Sequence, residues 1–275
     1  MTRTALFLLG VAGSTAPAAP PPVPWAPVGA GVERASFPLA RKGVLASVQV
    51  IAVRVAPCRV ALEFVERTRY EGLRGAWTVD SMGSDAILAL NGGQFREGTP
   101  WGWIVRDGVE QQPPGTGALA MALVVDNGAV RLLRPDEIAA ARGTVQHAIQ
   151  SYPALVVDGV MPTQLRTAGQ GVDLAHRDSR LAIGIDRDGR MLVVLTRFRG
   201  VGGVGGTLPL GPTIPELASL MQRLGAVRAL GLDGGISSQL ALRAPSGELE
   251  RYTNWRMVPL GIVARPRAGG GCAGS

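Results

Sequence analysis

Short apolar runs bounded by turn residues dominate the hydrophobic pattern of the chain. Alternating apolar and polar positions over residues 44–55 predict a strand. Two apolar runs joined by Arg187-Asp188-Gly189 predict the clearest hairpin. The full set of predicted strands covers residues 44–55, 60–65, 86–90, 101–105, 119–125, 130–133, 181–186, 191–196, 227–232, 237–242 and 257–263.

Only two segments have the pattern of helices. Apolar residues of the segment 213–224 recur on one helical face, and Thr213 and Glu216 have the spacing of a capping box. Residues 135–141 form a shorter predicted helix with Pro135 in its first turn. Because strands outnumber helices and do not alternate with them, the sequence predicts an α+β fold, with a mixed or antiparallel sheet core and few helices.

The first residues have the order of a secretion signal. Arg3 provides a positive start, residues 5–13 an apolar core and residues 15–18 a cleavage site of small residues. The apolar core is shorter than the roughly 20 residues that span a bilayer, and no later stretch qualifies. We therefore predict an exported protein, secreted, periplasmic or in the cell envelope, with no stable membrane span.

The predicted organisation has four parts. They are a signal peptide over residues 1–18, a Pro-rich tether over 19–35, one folded domain over 36–265 and a flexible tail over 266–275. Cys58 and Cys272 would join the tail to the first strands if they formed a disulfide, and their spacing leaves both the paired and the free state open.

Composition and charge restrict the partners of the protein. The chain has 275 residues, of which 46% are hydrophobic, and a formal net charge of +7 that comes almost entirely from arginine. A basic exported protein can associate with anionic polymers of the envelope. The arginines are scattered, which argues against nucleic acid as a partner. Two cysteines and two histidines, all far apart, give no zinc-site pattern.

Two predicted strands end in the same way, with a polar residue followed by two glycines. The motifs are Asn91-Gly92-Gly93 and Asp233-Gly234-Gly235, and Ser237 and Ser238 follow the second. Backbone without a Cβ can turn sharply and bring its N–H groups close to a ligand. One such motif alone is more typical of a tight turn, but two of them predict a site at one edge of a sheet.

Arginine and tryptophan positions near these motifs each have two interpretations. Arg180 begins an apolar strand, where it is either a solvated charge or a fork that holds phosphate. His176 is interpreted as a surface residue. Trp101 and Trp103 either stack on a sugar ring or, as alternate residues of a strand, serve packing. The glycine-rich stretch 200–206 lacks the βαβ context of a dinucleotide loop and is interpreted as a mobile loop.

Several segments, in order, resemble the phosphodiester glycosidase family. They span residues 86–263 and are 91–95, 152–156 with 158–159, 180–184, 213–218, 232–238 and 258–259. No single segment is specific, but the ordered set is. The chain departs from the family pattern at Gln94 (usually aromatic), Leu181 (usually threonine) and Ile236 (usually a third glycine), and these departures concern the substrate more than the fold.

The resemblance implies an exported hydrolase that cleaves the glycosidic bond of a sugar-1-phosphodiester, in an envelope or extracellular glycan, and makes the segment 36–265 the catalytic domain. It implies catalytic roles for Asn91, Arg180 and Asp233. It also implies a substrate pocket shaped by Gly92, Gly93, Gly234, Gly235, Ser237 and Ser238.

The residue types fit this chemistry, because a phosphate leaving group is a stable anion that hardly needs a proton. The site then needs donors for negative charge rather than the carboxylate pair of ordinary glycosidases, and the sequence offers no convincing pair. We assign the phosphate to Arg180, a hydrogen bond to sugar or phosphate to Asn91, and the role of general base or metal ligand to Asp233. Asp178 and Glu97 are reserve carboxylates.

The sequence leaves three alternatives open. Asp and Asn oxygens suit Ca²⁺ or Mg²⁺, although no contiguous ligand loop marks a cation site. A phosphodiesterase would cut the P–O bond instead of the sugar C–O bond. A non-catalytic glycan-binding module would use the same pocket without turnover.

Overall fold

We describe the fold from a computed structural model of the chain. The described residues are 22–29, 31–39, 47–66, 69–70, 73–74, 77–126, 128–169, 171–199, 210–267 and 272. The predicted signal peptide, the stretch 200–206 and most of the predicted tail lie outside these ranges.

Strands make up most of the secondary structure. Within the described ranges the strands are β1 Ala26–Gly29, β2 Val32–Leu39, β3 Ser47–Val55, β4 Val60–Glu66, β5 Arg69–Tyr70, β6 Leu73–Arg74, β7 Leu88–Asn91, β8 Phe95–Arg96, β9 Thr99–Pro100, β10 Ile104–Arg106, β11 Val109–Gln112, β12 Met121–Asp126, β13 Ala129–Leu133, β14 His147–Ser151, β15 Ala154–Val156, β16 Arg180–Asp186, β17 Met191–Arg199, β18 Ala226–Gly231, β19 Leu240–Arg243, β20 Leu249–Tyr252 and β21 Leu260–Pro266. The α-helices are α1 Pro135–Ala141 and α2 Ile214–Arg223.

Three antiparallel sheets carry the fold. One has seven strands in the order β1-β2-β3-β17-β16-β18-β15, and two have five strands each, β11-β10-β14-β12-β13 and β20-β19-β7-β21-β4. All described strand pairs in them are antiparallel. Helix α2 packs on β15 and β18. The predicted α+β class with few helices is confirmed, and the sheets are antiparallel rather than mixed.

The core follows the period of two that strands impose on side chains. Leu88 and Leu90 of β7 enter the main apolar cluster, to which all three large sheets contribute. Ala89, between them, faces a smaller cluster around Trp77 on the other side of its sheet. A third cluster lies under α1, where Ile138 packs on the outward side of β12.

The two helices agree closely with the sequence prediction. Helix α1 covers residues 135–141 as predicted. Helix α2 is one residue shorter at each end than the predicted segment, because Thr213 is its N-cap and Leu224 its C-cap. The capping box is present: the Thr213 hydroxyl accepts from Glu216 N at 3.3 Å, and Thr213 N donates to the Glu216 carboxylate at 2.9 Å.

Three predicted strands begin three residues too early: those over 101–105, 237–242 and 257–263 begin in the structure at Ile104, Leu240 and Leu260. Strand β10 begins only at Ile104, because the Gln150 side chain takes the place of a neighbouring strand beside residues 101–103: its Oε1 accepts from Trp103 N at 2.8 Å and from Gly115 N at 2.7 Å. The strand predicted over 237–242 begins at Leu240, since Gly235–Ser237 forms a 3-10 turn.

The predicted tether over 19–35 is wrong from residue 26 onward. Residues of β2 pair with β3 from Val32 to Leu39, and Val32 and Ala35 are buried. Strand β1 pairs with β2 at the edge of the seven-stranded sheet. An edge strand tolerates proline because one side of its backbone needs no partner, so the high proline content did not exclude a strand here.

Cys58 and Cys272 form a disulfide with Cα atoms 5.2 Å apart. The bond attaches residue 272 to the Pro57–Arg59 turn between β3 and β4, which resolves the open question of the pairing. Among the helices that the structure describes, none has the length and apolar character needed to cross a bilayer.

Candidate active site

Asn91 ends the central strand β7 of its sheet and connects the two glycine motifs. Its side chain is fully buried. Nδ2 donates to Asp233 O at 2.9 Å and to Gly92 O at 3.2 Å, and Oδ1 accepts from Gln239 N at 2.8 Å. The carboxamide therefore fixes the position of the second motif relative to the first.

The predicted hydrogen bond from Asn91 to a substrate has no counterpart in this geometry. Both donor hydrogens and the acceptor of a carboxamide are engaged by those three backbone contacts, and no part of the side chain is accessible. Asn91 lies at the predicted place but positions Asp233 instead of facing a ligand.

The glycines of both motifs serve close packing. Gly92 N donates to Leu260 O at 2.8 Å and Gly235 N to Ser179 O at 2.8 Å, so these N–H groups are not available to an anion. A Cβ on Gly93 would lie 2.8 Å from Gln150 O, and one on Gly234 would lie 2.8 Å from Ser179 O. Two of the four N–H groups of the predicted anion cradle are thus engaged within the protein, while Gly234 and Gly235 line the cavity that also contains Asp233.

Ser237 and Ser238 are also turned inward. Both are buried. The Ser237 hydroxyl donates to the Asp233 carboxylate. The Ser238 hydroxyl donates to Gly235 O at 2.8 Å and lies 2.8 Å from Ser179 Oγ. The two serines hold the second corner in shape, and Ser237 orients its acidic group.

Arg180 begins β16, and its guanidinium is anchored by carbonyl groups. Nε donates to Pro212 O at 3.1 Å and Nη2 to His176 O at 2.6 Å, while Nη1 has no hydrogen bond to any described residue. Burial lowers the pKa of Arg180 from its ordinary value, and the charges of Asp178 and Asp173 oppose that shift. Arginine remains a cation through such changes. The two carbonyl groups hold one side of the guanidinium, and Nη1 on the other side can donate to a ligand.

Arg180, Asp233 and Asp178 line one cavity of about 200 Å³. Gln94 lines it too, and its Nε2 donates to Leu232 O at 3.4 Å. The cavity therefore combines a guanidinium, two carboxyl groups and an amide from three separate parts of the chain.

Burial raises the pKa of Asp233 to about 6. The Ser237 hydroxyl, the Arg256 charge and the Gly234 N–H all favour the carboxylate and limit the rise, and the neighbouring Asp178 charge adds to it. Asp233 thus changes its protonation state close to neutral pH, where a proton-transfer group is most effective.

Of the two reserve carboxylates, Asp178 and Glu97, the structure places only Asp178 in the cavity. Asp178 lies in the cavity, where Oδ1 accepts from Ser179 N at 2.8 Å and Oδ2 lies 3.4 Å from His176 Nε2. His176 itself is exposed. Glu97 is exposed in the turn between β8 and β9, outside the cavity.

Two neighbours of the site were not identified from the sequence. Arg256 acts on the Asp233 charge, and its guanidinium lies 4.9 Å from the Phe95 ring centroid. Gln239 holds Asn91 through its backbone and Arg256 O through its side chain, at 2.8 Å. An amide next to two serines, directly before an apolar strand, was the available signal for Gln239; Arg256 has no comparable signal.

The two candidate sugar-stacking tryptophans differ. Trp103 is fully buried and donates from Nε1 to the Glu110 carboxylate at 2.9 Å, so it serves packing. Trp101 lines a cavity beside Tyr152. No group of three or more His, Cys, Asp and Glu residues within the described ranges is placed to hold a metal ion.

A family model described as phosphodiester glycosidase matches residues 84–265, about two thirds of the chain. No curated protein sequence matches. Among solved structures, the catalytic domain of zebrafish N-acetylglucosamine-1-phosphodiester alpha-N-acetylglucosaminidase, auto-inhibited by its pro-peptide, is similar with a TM-score of 0.64 and 20% identity; the match covers 88% of this chain and 85% of that one.

Two bacterial structures are similar as well. A hypothetical protein from Synechocystis gives a TM-score of 0.56 at 19% identity, covering 90% of this chain and 64% of the other. A putative exported protein from Burkholderia pseudomallei gives 0.52 at 17% identity, covering 82% and 75%. At these identities the likeness establishes the fold, while the family model establishes the family.

The raised pKa of Asp233 predicts a pH-dependent stability difference between the wild type and Asp233→Asn. The carboxylic acid form favours the folded state, so the stability contributed by Asp233 is fully present below the ordinary pKa of 3.8 and is lost as pH rises through about 6. The difference between these pKa values corresponds to about 3 kcal/mol. Relative to wild type, Asp233→Asn should gain up to about 3 kcal/mol in free energy of unfolding between pH 3.5 and pH 8, measured by urea denaturation.

Asp188→Asn is the matched control, because Asp188 is exposed in the turn between β16 and β17. It should show no gain of this size. A constant difference between Asp233→Asn and wild type across the pH range would contradict the assigned pKa.

Proposed function

The chain belongs to the phosphodiester glycosidase family, and on this basis we propose that it hydrolyses the glycosidic bond of a sugar-1-phosphodiester. The proposal rests on the cavity that contains both the Asp233 carboxyl group and the Arg180 guanidinium. Two groups of that guanidinium are anchored to carbonyl oxygens, and its Nη1 has no hydrogen bond to a described residue. The substrate has the two features that these groups match: an anionic phosphate and an anomeric carbon that water can attack.

Arg180 is proposed to hold the phosphate. Its anchoring to Pro212 O and His176 O leaves Nη1 as the donor that points to a ligand. A guanidinium held in advance stabilises charge that develops on the leaving phosphate without reorganising during the reaction. Because the leaving group is already a stable anion, no carboxylic acid is needed to protonate it.

Asp233 is proposed to be the general base. In its ionised form it would accept a proton from the attacking water as the water oxygen bonds to the anomeric carbon and the bond from that carbon to the phosphate oxygen breaks. The products would be the free sugar and a phosphomonoester. Asn91 acts through Asp233 as a positioning residue, since its Nδ2 holds the Asp233 backbone carbonyl.

Asp178 is proposed to balance the charge of the cavity. Its carboxylate opposes the fall in the pKa of Arg180 and contributes to the rise in the pKa of Asp233. It therefore supports the cationic phosphate site and the poised base at the same time.

A catalytic role is favoured over a glycan-binding module by the energetic cost of the site. A buried carboxylate with a pKa near 6 destabilises the folded protein at neutral pH, and perturbed groups of this kind concentrate at catalytic sites. A binding module would gain nothing from that cost.

We propose in addition that the protein is exported and acts on envelope or extracellular glycans. The signal-like order of residues 1–18 supports export, as does a disulfide, which is typical of oxidising compartments. The similar Burkholderia pseudomallei structure is itself described as a putative exported protein. The basic net charge suits anionic envelope polymers.

Hydrolysis of methyl N-acetylglucosamine-1-phosphate in ¹⁸O-labelled water tests the reaction. We expect the label in the sugar, because water attacks the anomeric carbon; label in methyl phosphate would identify a phosphodiesterase instead. Asp233→Asn keeps the shape of the side chain but lacks a basic oxygen, and should give no product above background. Mass spectrometry of both products distinguishes the outcomes, and turnover that survives dialysis against EDTA would exclude a required divalent cation.

Replacing Arg180 tests the phosphate assignment. Arg180→Ala should lower kcat/KM by about 10²–10³-fold, the usual effect of removing one preorganised charge-stabilising donor. Arg180→Lys keeps the charge but not the planar fork of N–H donors, and its kcat/KM should lie between those of the wild type and Arg180→Ala. Arg131→Ala, on the exposed side of β13, is the matched control and should retain wild-type activity. A folded Arg180→Ala protein with full activity, its fold verified by circular dichroism, would refute the assignment.

Export predicts a processed and oxidised protein. When the full chain is expressed in a bacterium, the mature protein should begin at Ala19 and should yield a peptide pair linked through Cys58 and Cys272 in a non-reducing digest. Replacing Ala16 and Ala18 by glutamine removes the small residues of the cleavage site and should block processing. Recovery of the unprocessed chain from the cytoplasm with both thiols free would contradict export.

A further inference from the structure

Three large apolar side chains are exposed next to one another beside the corner that contains Asp233. Trp255 is 82% exposed, Ile236 51% and Met257 46%. Trp255 and Met257 lie in the loop between β20 and β21, and Ile236 lies in the 3-10 turn after the second glycine motif. The residue between the first two, Arg256, donates from its backbone N to Ile236 O at 3.1 Å, which brings the two segments together. We call the three side chains the Trp255 patch.

The loop that carries Trp255 is anchored, so its exposure does not come from a loosely held chain. Asn254 Nδ2 donates to Gly235 O at 2.6 Å, and Asn254 Oδ1 accepts from Trp255 N at 2.9 Å. On the other side of the indole, Arg256 O accepts from Gln239 Nε2 at 2.8 Å. The fold therefore presents a large aromatic ring to the solvent from a fixed position.

Ile236 is a feature of this chain rather than of the family pattern. A third glycine is usual at this position, as noted above, and a glycine would add no apolar surface. About half of the isoleucine side chain is exposed, so packing uses only part of it. Scattered single apolar residues on a surface need no explanation, but adjacent ones mark an interaction site.

The surroundings of the Trp255 patch are basic. The segments 234–247 and 251–275 contain no aspartate or glutamate. Arg256 is exposed within the patch. Arg251, at the end of β20, is exposed too and pairs with Asp80 at 3.1 Å. The patch thus combines exposed apolar side chains with a guanidinium that lies among them.

An anionic lipid bilayer matches both properties. Tryptophan is enriched at the level of the lipid headgroups, where its amphipathic ring is stable. Arginine is attracted to anionic lipids, and exposed apolar side chains enter the boundary between headgroups and acyl chains. The net charge of +7 acts in the same direction.

Two other occupants fit the patch less well. A soluble anionic polymer would pair with the arginine but has no apolar interior to receive the three side chains. A second copy of the chain would need far more contact, because each partner of a stable protein interface contributes about 800 Å², and three side chains supply only a fraction of that area.

We propose that the Trp255 patch docks the protein peripherally on an anionic lipid bilayer, with Trp255, Ile236 and Met257 inserted at the level of the headgroups. Gly235 lines the cavity that holds the Asp233 carboxyl group, and the next residue, Ile236, belongs to the patch. Docking therefore places that cavity close to the membrane surface, within reach of substrates attached to it. The docking does not depend on which reaction the cavity performs.

Cosedimentation with vesicles tests the docking. The exported chain should bind vesicles of phosphatidylcholine with about 30% phosphatidylglycerol more tightly than vesicles of phosphatidylcholine alone. Trp255→Ala should weaken binding to the anionic vesicles about 10-fold or more, because the largest inserted side chain is lost. Arg256→Gln should weaken it about 5-fold and leave binding to the neutral vesicles unchanged.

Val109→Ala is the matched control for the loss of exposed apolar surface. Val109 is 58% exposed on β11, in a different sheet from β20 and β21. This variant should bind both kinds of vesicle as the wild type does. Circular dichroism verifies the fold of each variant before binding is compared.

Quenching of tryptophan fluorescence by brominated phosphatidylcholine, mixed into the anionic vesicles, locates the inserted residue. Trp77 and Trp103 are fully buried, and residues 1–18 contain no tryptophan. We expect the bound wild type to be quenched. Trp255→Phe keeps a ring for insertion but removes the exposed indole, so it should remain bound and lose most of the quenching.

The outcomes that overturn the docking are distinct from failure of the proposed function. Equal affinity of the wild type and Trp255→Ala for anionic vesicles, or equal quenching of the wild type and Trp255→Phe, overturns it. Equal binding to dextran sulfate and to the vesicles, by the wild type and Trp255→Ala alike, would identify an anionic polymer as the partner. A dimer in analytical ultracentrifugation that Trp255→Ala dissociates would identify a second copy of the chain. Each of these results is obtained without measuring hydrolysis.

Discussion

The site depends on one buried carboxamide. Asn91 joins β7 to the corner that contains Asp233 through three backbone contacts, at 2.8–3.2 Å. An amide of this kind has to satisfy all its partners at once, because an unpaired polar group in the interior costs about 1–3 kcal/mol. The position of Asp233 is therefore tied to the centre of a sheet, although Asp233 itself lies after the end of a strand in another sheet.

This connection makes the electrostatics of the cavity possible. Asp233 and Arg180 are both largely shielded from water, and in each case burial is the largest influence on the pKa. Burial disfavours the charged form of both groups. The shifts stay limited because a nearby charge opposes the effect of burial in each case: Arg256 for Asp233, and Asp178 for Arg180. A looser corner would admit water and return both groups towards ordinary behaviour.

The sequence predicted the elements and the meeting of Arg180 with Asp233 better than it predicted the orientation of side chains. Helix α2 was predictable because its cap and its apolar face are local properties. The place of Asn91 was predictable from a polar residue at the end of an apolar strand, but its inward orientation depends on Gln239, which is distant in sequence. The glycine pairs, taken from the sequence alone, predict contacts with a ligand. In the structure, two of these glycines are required because a Cβ would collide with Gln150 O or Ser179 O, and both atoms come from other parts of the chain. Strand β2 was missed because its partner, β3, decides whether a proline-containing segment is extended in solution or paired in a sheet.

The bond between Cys58 and Cys272 closes a covalent ring, since 214 positions separate the two residues. That covalent ring contains Asn91, Arg180 and Asp233. A protease that cut one exposed loop inside it would leave two chains still attached to each other, with every group of the cavity retained in the same molecule. Such a covalent ring turns a single cleavage from a loss of fragments into a local break in the backbone.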